Sequence, residues 1–294
     1  MTVAVPIPTG PVPAGASPPV TSGEAGQVGL KWLVLDTLTV TKRNLIAYTR
    51  IPEALFFSSV QPIMFVLLFR YVFGGAIRTP GYSYVDYMMP GIFVQTVAFG
   101  SMTTAVGLAE DLQKGLIERF RALPMARSAV LAGRTTADLL RNAFVMILLT
   151  AMGFAVGFRI GTNVPEYIAG LLLLLAFAYA LSWGFAIIGL VAPNSETAQL
   201  MGFPVLLPLT FASSAFVPIA SMPGWLQAFA SHQPVSVVIN AARDLMVGRP
   251  APSSFASHLF TGSTASDIWQ ALAWIAGIFV VLAPLAVYRY RSRI

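Results

Sequence analysis

The sequence has no cysteine, only two histidines, and only 10% charged residues across 294 positions. Without cysteine there is no disulfide framework, no thiol nucleophile and no thiolate metal site. The two histidines, His232 and His258, have no metal-ligand company near them in the sequence, and no metal or cofactor is implied. Soluble domains carry roughly 25% charged residues, so water is not the main solvent of this chain. Only three lysines occur, and none completes the G-x-x-x-x-G-K-[ST] pattern whose amides and lysine surround nucleotide phosphates. Lys31 is followed by Trp32, Lys42 by Arg43 and Lys114 by Gly115. Any ATP-driven role therefore needs an ATPase on another polypeptide.

What the chain does have is apolar length: 56% of residues are hydrophobic and the mean hydropathy is +0.73. A bilayer core about 30 Å thick takes roughly 20 such residues per helix. Six stretches qualify, at 54–73, 87–108, 142–158, 167–192, 197–219 and 268–288. The expected fold is an all-α integral membrane protein with six transmembrane helices. The third is short, and the fifth contains Pro204, Pro208 and Pro218, whose freed backbone groups neighbouring helices or water must satisfy.

Six spans place both termini on one side. Thirteen Lys and Arg residues fall there: Lys31, Lys42, Arg43 and Arg50 before the first span, six between spans two and three, and Arg289, Arg291 and Arg293 at the end. Four fall opposite: Arg78, Arg159, Arg243 and Arg249. The positive-inside rule then puts both termini in the cytoplasm and the chain in a cell inner (plasma) membrane. The net charge of +6 reflects these flanks and not a nucleic-acid surface.

Residues 1–29 hold six prolines, five glycines and a single charge, Glu24, too little packable surface to repay ordering. They are expected to form a disordered cytoplasmic tail, without the basic start and apolar run of a secretory leader. Residues 30–53 carry Val34, Leu38, Leu45 and Tyr48 at helical spacing with four cations nearby, as in an amphipathic helix lying in the interface. A continuation of the first span fits the same pattern. Residues 54–294 form the six-helix domain.

Two long connections lie on opposite faces, an inner one at 109–141 and an outer one at 220–267. In the inner one, Leu112, Leu116, Phe120 and Leu123 share one helical face, Lys114, Glu118 and Arg121 share the other, and Pro124 ends the helix. Two readings fit: a helix resting on the bilayer, or a handle that docks into a cytoplasmic partner. The outer connection is apolar but broken by Pro223, Gly224 and Pro234 into pieces too short to cross, giving short re-entrant helices between spans five and six. There Trp225 and Phe229 suit either an interfacial aromatic belt or a lid over an exit path. His232 suits a structural polar contact or simple exposure better than proton sensing.

Between the spans' hydroxyls and amides (Gln61, Gln95, Ser101, Thr103, Thr104, Ser182, Thr210, Ser213 and Ser214) there is almost no ionisable group. Those groups either join helices or line a path for an amphipathic molecule. Proton-coupled carriers place Asp, Glu or His near the midplane, which weighs against a secondary carrier. Prenyl transfer would need paired carboxylates, and serine proteolysis a histidine base inside the membrane. A carrier or channel acting without an ATPase stays as the alternative to an ATP-driven exporter.

The string Gly115-Leu116-Ile117-Glu118-Arg119-Phe120-Arg121-Ala122-Leu123-Pro124-Met125 resembles the inner loop of ABC-2 type permeases of the daunorubicin/doxorubicin-resistance exporter family. The resemblance extends to Met89-Pro90-Gly91-Ile92, to Met222-Pro223-Gly224-Trp225-Leu226-Gln227-Ala228-Phe229 and to Pro234-Val235-Ser236, and covers roughly residues 30–290. It implies a six-span permease domain, paired with a second permease chain and with ATP-binding cassette subunits, exporting a hydrophobic or amphipathic drug, antibiotic or lipid. It also implies that the inner loop is the coupling helix, with Glu118, Arg119, Arg121, Leu123 and Pro124 against the ATPase.

Overall fold

The computed structural model describes residues 30–50, 52–77, 79, 81, 83–116, 127–249 and 263–293. Among them there is no strand. Nine α-helices follow in order: α1 (Leu30–Arg50), α2 (Pro52–Leu68), α3 (Tyr84–Gln113), α4 (Arg127–Ala155), α5 (Val164–Val191), α6 (Ser195–Phe211), α7 (Gly224–His232), α8 (Pro234–Met246) and α9 (Thr264–Arg293). A π-helical turn (Phe69–Phe73) extends α2, and a 3₁₀ turn (Ile219–Ser221) precedes α7.

Local chemistry sets several of these limits. Ser83, Asn163 and Asn194 each stand in extended conformation and accept an amide from the first turn that follows, Asp86 N at 3.1 Å, Glu166 N at 2.9 Å and Thr197 N at 2.7 Å. Each satisfies one of the amides that a helix start leaves open. At its far end α3 stops on Gly115, whose φ of 63° lies in the left-handed region that glycine enters freely. The helix expected through Leu112–Leu123 is therefore interrupted after Gln113. Lys114, expected to face Glu118, instead pairs with Glu110 at 2.5 Å.

Four helices are long and apolar enough to cross a membrane: Tyr84–Gln113, Ser128–Ala155, Val164–Val191 and Thr264–Ser292. Ser58–Phe73 is a shorter apolar helix, and α6 has 17 residues. The third expected span, 142–158, is in fact the second half of α4, which begins at Arg127. Arg134, Asp138 and Arg141 lie inside that helix, ahead of the stretch expected to span. The fifth expected span, 197–219, is helical only as far as Phe211, with Pro204 and Pro208 inside the helix, and the chain turns at 212–218.

Helix α3 is the axis of the packing. In its most apolar window 72% of residues are buried, against 17% in α9 at the periphery. Apolar burial does not drive helices together in lipid, so close van der Waals fit must. Gly189 of α5 sits against the backbone of Ala105 in α3, where a Cβ would overlap, and this lets the two helices approach. Helix α9 leans on α5 through Phe279, whose ring lies 5.7 Å from Tyr179 and 6.0 Å from Trp183.

Helix α1 docks on α4. Val40 covers Gly133, Thr41 Oγ1 donates to Gly133 O at 3.2 Å, and Val40, Thr41 and Asn44 are buried. Val34 and Leu38, expected on a common face with Leu45 and Tyr48, are exposed. The face committed to protein is thus the one carrying Val40, Asn44 and Tyr48.

Candidate functional site

Two polar structures are built into this apolar body. The first lies where α1, α3 and α4 meet. Arg134, Asp138 and Arg141 project from one face of α4, at spacings of four and three. Asp138 is fully buried and accepts from Tyr48 Oη, from Thr104 Oγ1 at 2.7 Å and from Thr103 Oγ1 at 3.4 Å, with Arg134 Nε 3.4 Å away. Burial and the Asp138 carboxylate push the Tyr48 hydroxyl upward in pKa, which keeps it a donor. Arg134 also reaches Asp111 at 3.8 Å, and Arg43 reaches the same carboxylate at 3.5 Å. Gly107 makes room for the Arg134 guanidinium, since a Cβ there would overlap it.

Arg141 stands apart from this exchange of charge. Its Nη2 donates to Gly100 O at 2.8 Å, to Thr103 Oγ1 at 2.9 Å and to Asn142 Oδ1 at 3.4 Å. Its guanidinium carbon lies 5.9 Å from the Tyr48 ring centroid. Arg141 and Asn142 line a cavity of about 220 Å³ bounded by α2, α3, α4 and α6. Gln61, Gln95 and Gln199 contribute amides to its wall, and Phe65, Phe99 and Phe203 contribute rings. A mixed wall of this kind holds an apolar body and orients a polar group.

The second structure lies beyond the end of α6. Arg243 of α8 is 2% exposed and spends its donors on Tyr87 O at 3.2 Å, Asn240 Oδ1 at 2.9 Å and Ser214 O at 2.8 Å. Its guanidinium also lies 4.0 Å from the centroid of the Tyr87 ring. Gln233 Nε2 donates to Ala212 O at 2.5 Å, and Ser236 Oγ accepts from Ser214 N at 3.2 Å. The backbone broken after α6 is thereby satisfied by side chains of α8. Arg249 then bridges Asp244 and Asp267 at 2.6 Å each, tying α8 to α9. Burial pushes the Asp244 carboxyl upward in pKa, and Arg249 works against that rise.

The residues singled out from sequence are distributed unevenly over these structures. Glu118, Arg119, Arg121, Leu123 and Pro124 lie outside the described residues, as does His258. Pro223 precedes α7 and Gly224 opens it, Trp225 is 76% exposed, and Pro234 opens α8. His232 is exposed, its Nδ1 within 2.9 Å of Ser231 Oγ and 3.0 Å of Ala228 O. Of the span hydroxyls and amides, Gln61, Gln95 and Thr103 line the cavity, whereas Ser101, Ser182 and Thr210 donate to backbone carbonyls. Arg134, Asp138, Arg141 and Arg243 were absent from the sequence-based set. For the first three the shared helical face was a readable signal, hidden by starting the span at Asn142.

The fold and site define a helical, multi-pass membrane protein built around a cavity of mixed polarity. The chain belongs to the ABC-2 type transporter family, whose model matches residues 36–247, and it is a membrane permease of that type. It is 34% identical to the daunorubicin resistance ABC transporter permease protein DrrB1 of Streptomyces coeruleorubidus, over 88% of this chain and 87% of that one. It is 29% identical to DrrC of Mycobacterium tuberculosis, a protein named for doxorubicin resistance, over 90% and 92% of the two chains. The inner membrane transport permease YadH of Escherichia coli is 26% identical over 63% of this chain and 73% of its own.

Proposed function

We propose that this permease exports a hydrophobic or amphipathic drug, antibiotic or lipid across the plasma membrane, driven by a separate ATP-binding cassette subunit and paired with a second permease chain. The observation that carries this is the family match across residues 36–247, which includes the connection between α3 and α4. The relatives named for drug resistance support the cargo class. On this reading Glu118, Arg119 and Arg121 contact the ATPase, Leu123 and Pro124 set the end of the coupling helix, and residues 30–53 lie in the cytoplasmic interface ahead of the permease domain at 54–294. The tail expected at 1–29 lies outside the described residues. The segment around Pro223, Gly224, Trp225 and Pro234 caps the exit side.

Six crossings follow if α2 with its π turn and α6 also span. The 22 residues from Pro52 to Phe73 give ~33 Å at helical rise, enough for the hydrocarbon core. Helix α6 alone gives ~26 Å, and the turn at 212–218 completes the distance. Moving Arg134 and Arg141 from the inner loop into α4 lowers the cytoplasmic count from thirteen to eleven, and four remain opposite, so the orientation is unchanged. Because the chain has no cysteine, single cysteines at Lys114 and Ser231 labelled by an impermeant maleimide test the sidedness directly. Labelling of both from the same side would sink this topology.

The central test is capture. The full chain, co-expressed with its cognate cytoplasmic ATP-binding cassette protein, is expected to copurify with it, and Glu118→Ala with Arg121→Ala is expected to lose capture while remaining folded. Flux through the chain alone, driven by an ion gradient, would instead establish the carrier alternative. Asp138, the one carboxylate of α4, is held by Tyr48, Thr104 and Arg134.

A further inference from the structure

The charges at the junction of α1, α3 and α4 do not cancel. Asp138 is paired with Arg134, and Asp111 is shared by Arg134 and Arg43. Three arginines therefore face two carboxylates, and Arg141 has no carboxylate within ion-pairing distance among the described residues. It is 9% exposed, and its Nε has no hydrogen-bond partner. The adjacent Asn142 is 2% exposed, and its Nδ2 is also unpartnered. Both residues line the cavity. A guanidinium held away from water without a counter-ion is costly, and inside a membrane such groups mark binding or transport paths.

We propose that Arg141 and Asn142 form an anion-recognising pole in the cavity, so that its preferred ligand is an amphipath with a single acidic head, carboxylate or phosphate, and an apolar body. The head pairs with the Arg141 guanidinium, with Asn142 beside it on the same wall. The body lies along Phe65, Phe99 and Phe203 of the same cavity wall. Gly100 keeps the pole in place: its missing Cβ seats the Asn142 carboxamide, and its carbonyl holds Arg141 Nη2. This names the cargo class of the exporter reading and rests on that reading only for the claim that the ligand is transported. The aromatic wall alone would favour a cation, so a preference for anions has to come from Arg141.

The test uses the purified full chain in phosphatidylcholine nanodiscs and two fluorescent probes sharing a pyrene-decyl body, one ending in carboxylate and one in trimethylammonium. The wild type is expected to hold the carboxylate about tenfold more tightly, the scale of a charge-assisted contact. Arg141→Gln is expected to abolish that preference. Gln199→Glu, at an exposed position of the same wall, is expected to reverse it without touching the buried network, which separates recognition from misfolding. Replacing part of the phosphatidylcholine with phosphatidylglycerol distinguishes the source of the head group: displacement of the carboxylate probe assigns the pole to a bilayer lipid, and retention assigns it to a free amphipath. Equal binding of the two probes, or a preference that survives Arg141→Gln in folded protein, overturns the proposal. No ATPase takes part, so loss of ATPase capture would overturn the exporter reading and leave this result standing.

Discussion

Arg243 and Arg141 are both buried guanidiniums in the same membrane protein, and they are treated in opposite ways. Arg243 meets two backbone carbonyls, an amide oxygen and a tyrosine face. Arg141 places a single nitrogen on three acceptors, leaves its buried Nε without a partner, and lines a cavity. A buried charge whose three nitrogens each find an acceptor holds backbone in position, whereas one left without a counter-ion beside a cavity is available to a ligand. The contrast separates a structural pin beyond the end of α6 from a recognition site at the junction of α1, α3 and α4.

Breaking the pin should have the largest effect. Arg243→Ala strands the carbonyls of Tyr87 and Ser214 and should cost about 3–5 kcal/mol, read as loss of a monodisperse peak or a large fall in melting temperature in mild detergent. Asp138→Asn keeps the shape but removes the counter-charge of Arg134, at about 2 kcal/mol; a melting temperature equal to wild type would show the ion pair to be dispensable.

The glycines sharpen the same contrast. At Gly91 a Cβ would overlap the backbone of Ala215, which cannot yield, and Gly91→Ala should cost about 2 kcal/mol. At Gly107 the obstacle is the tip of the Arg134 side chain, which can shift, so Gly107→Ala should cost about 1 kcal/mol. A reversed order of melting temperatures would refute the view that the pin is the more rigid.

Arg249→Gln tests the clamp at the edge of the pin. It should cost about 1 kcal/mol, because Arg249 is a quarter exposed. The pH dependence has a definite sign. Burial raises the Asp244 carboxyl above its ordinary 3.8, so the folded state binds that proton more tightly. Its contribution is then greatest below pH 3.8 and declines as pH rises through the elevated value. Arg249 limits this rise, so the deficit of Arg249→Gln relative to wild type should be small near pH 4 and widen toward pH 7 in parallel melting curves. Lys114→Ala removes only an exposed contact with Glu110 and should leave the melting temperature unchanged.

How far the molecule could be read from its residues differs between these two regions. The long apolar helices α3, α5 and α9 were legible because Leu-, Phe- and Ala-rich runs of this length have no other stable setting. The broken outer segment was legible through Pro223, Gly224 and Pro234, which interrupt any crossing helix. The start of α4 was misread: Arg134, Asp138 and Arg141 lower the local hydropathy, and only their partners on α1 and α3 make them tolerable at depth. Arg243 was counted only among the cations opposite the termini, since nothing local announces the carbonyls of Tyr87 and Ser214.

The sequence by itself determined that this chain is helical and that it belongs in a membrane, because both follow from composition and from contiguous apolar runs. Only the tertiary structure decided which charges are neutralised and which is left open. A residue's charge is local, but its compensation depends on groups as distant in sequence as Tyr48 from Asp138, Gly100 from Arg141 and Tyr87 from Arg243, and those are brought within hydrogen-bonding distance only when the helices pack.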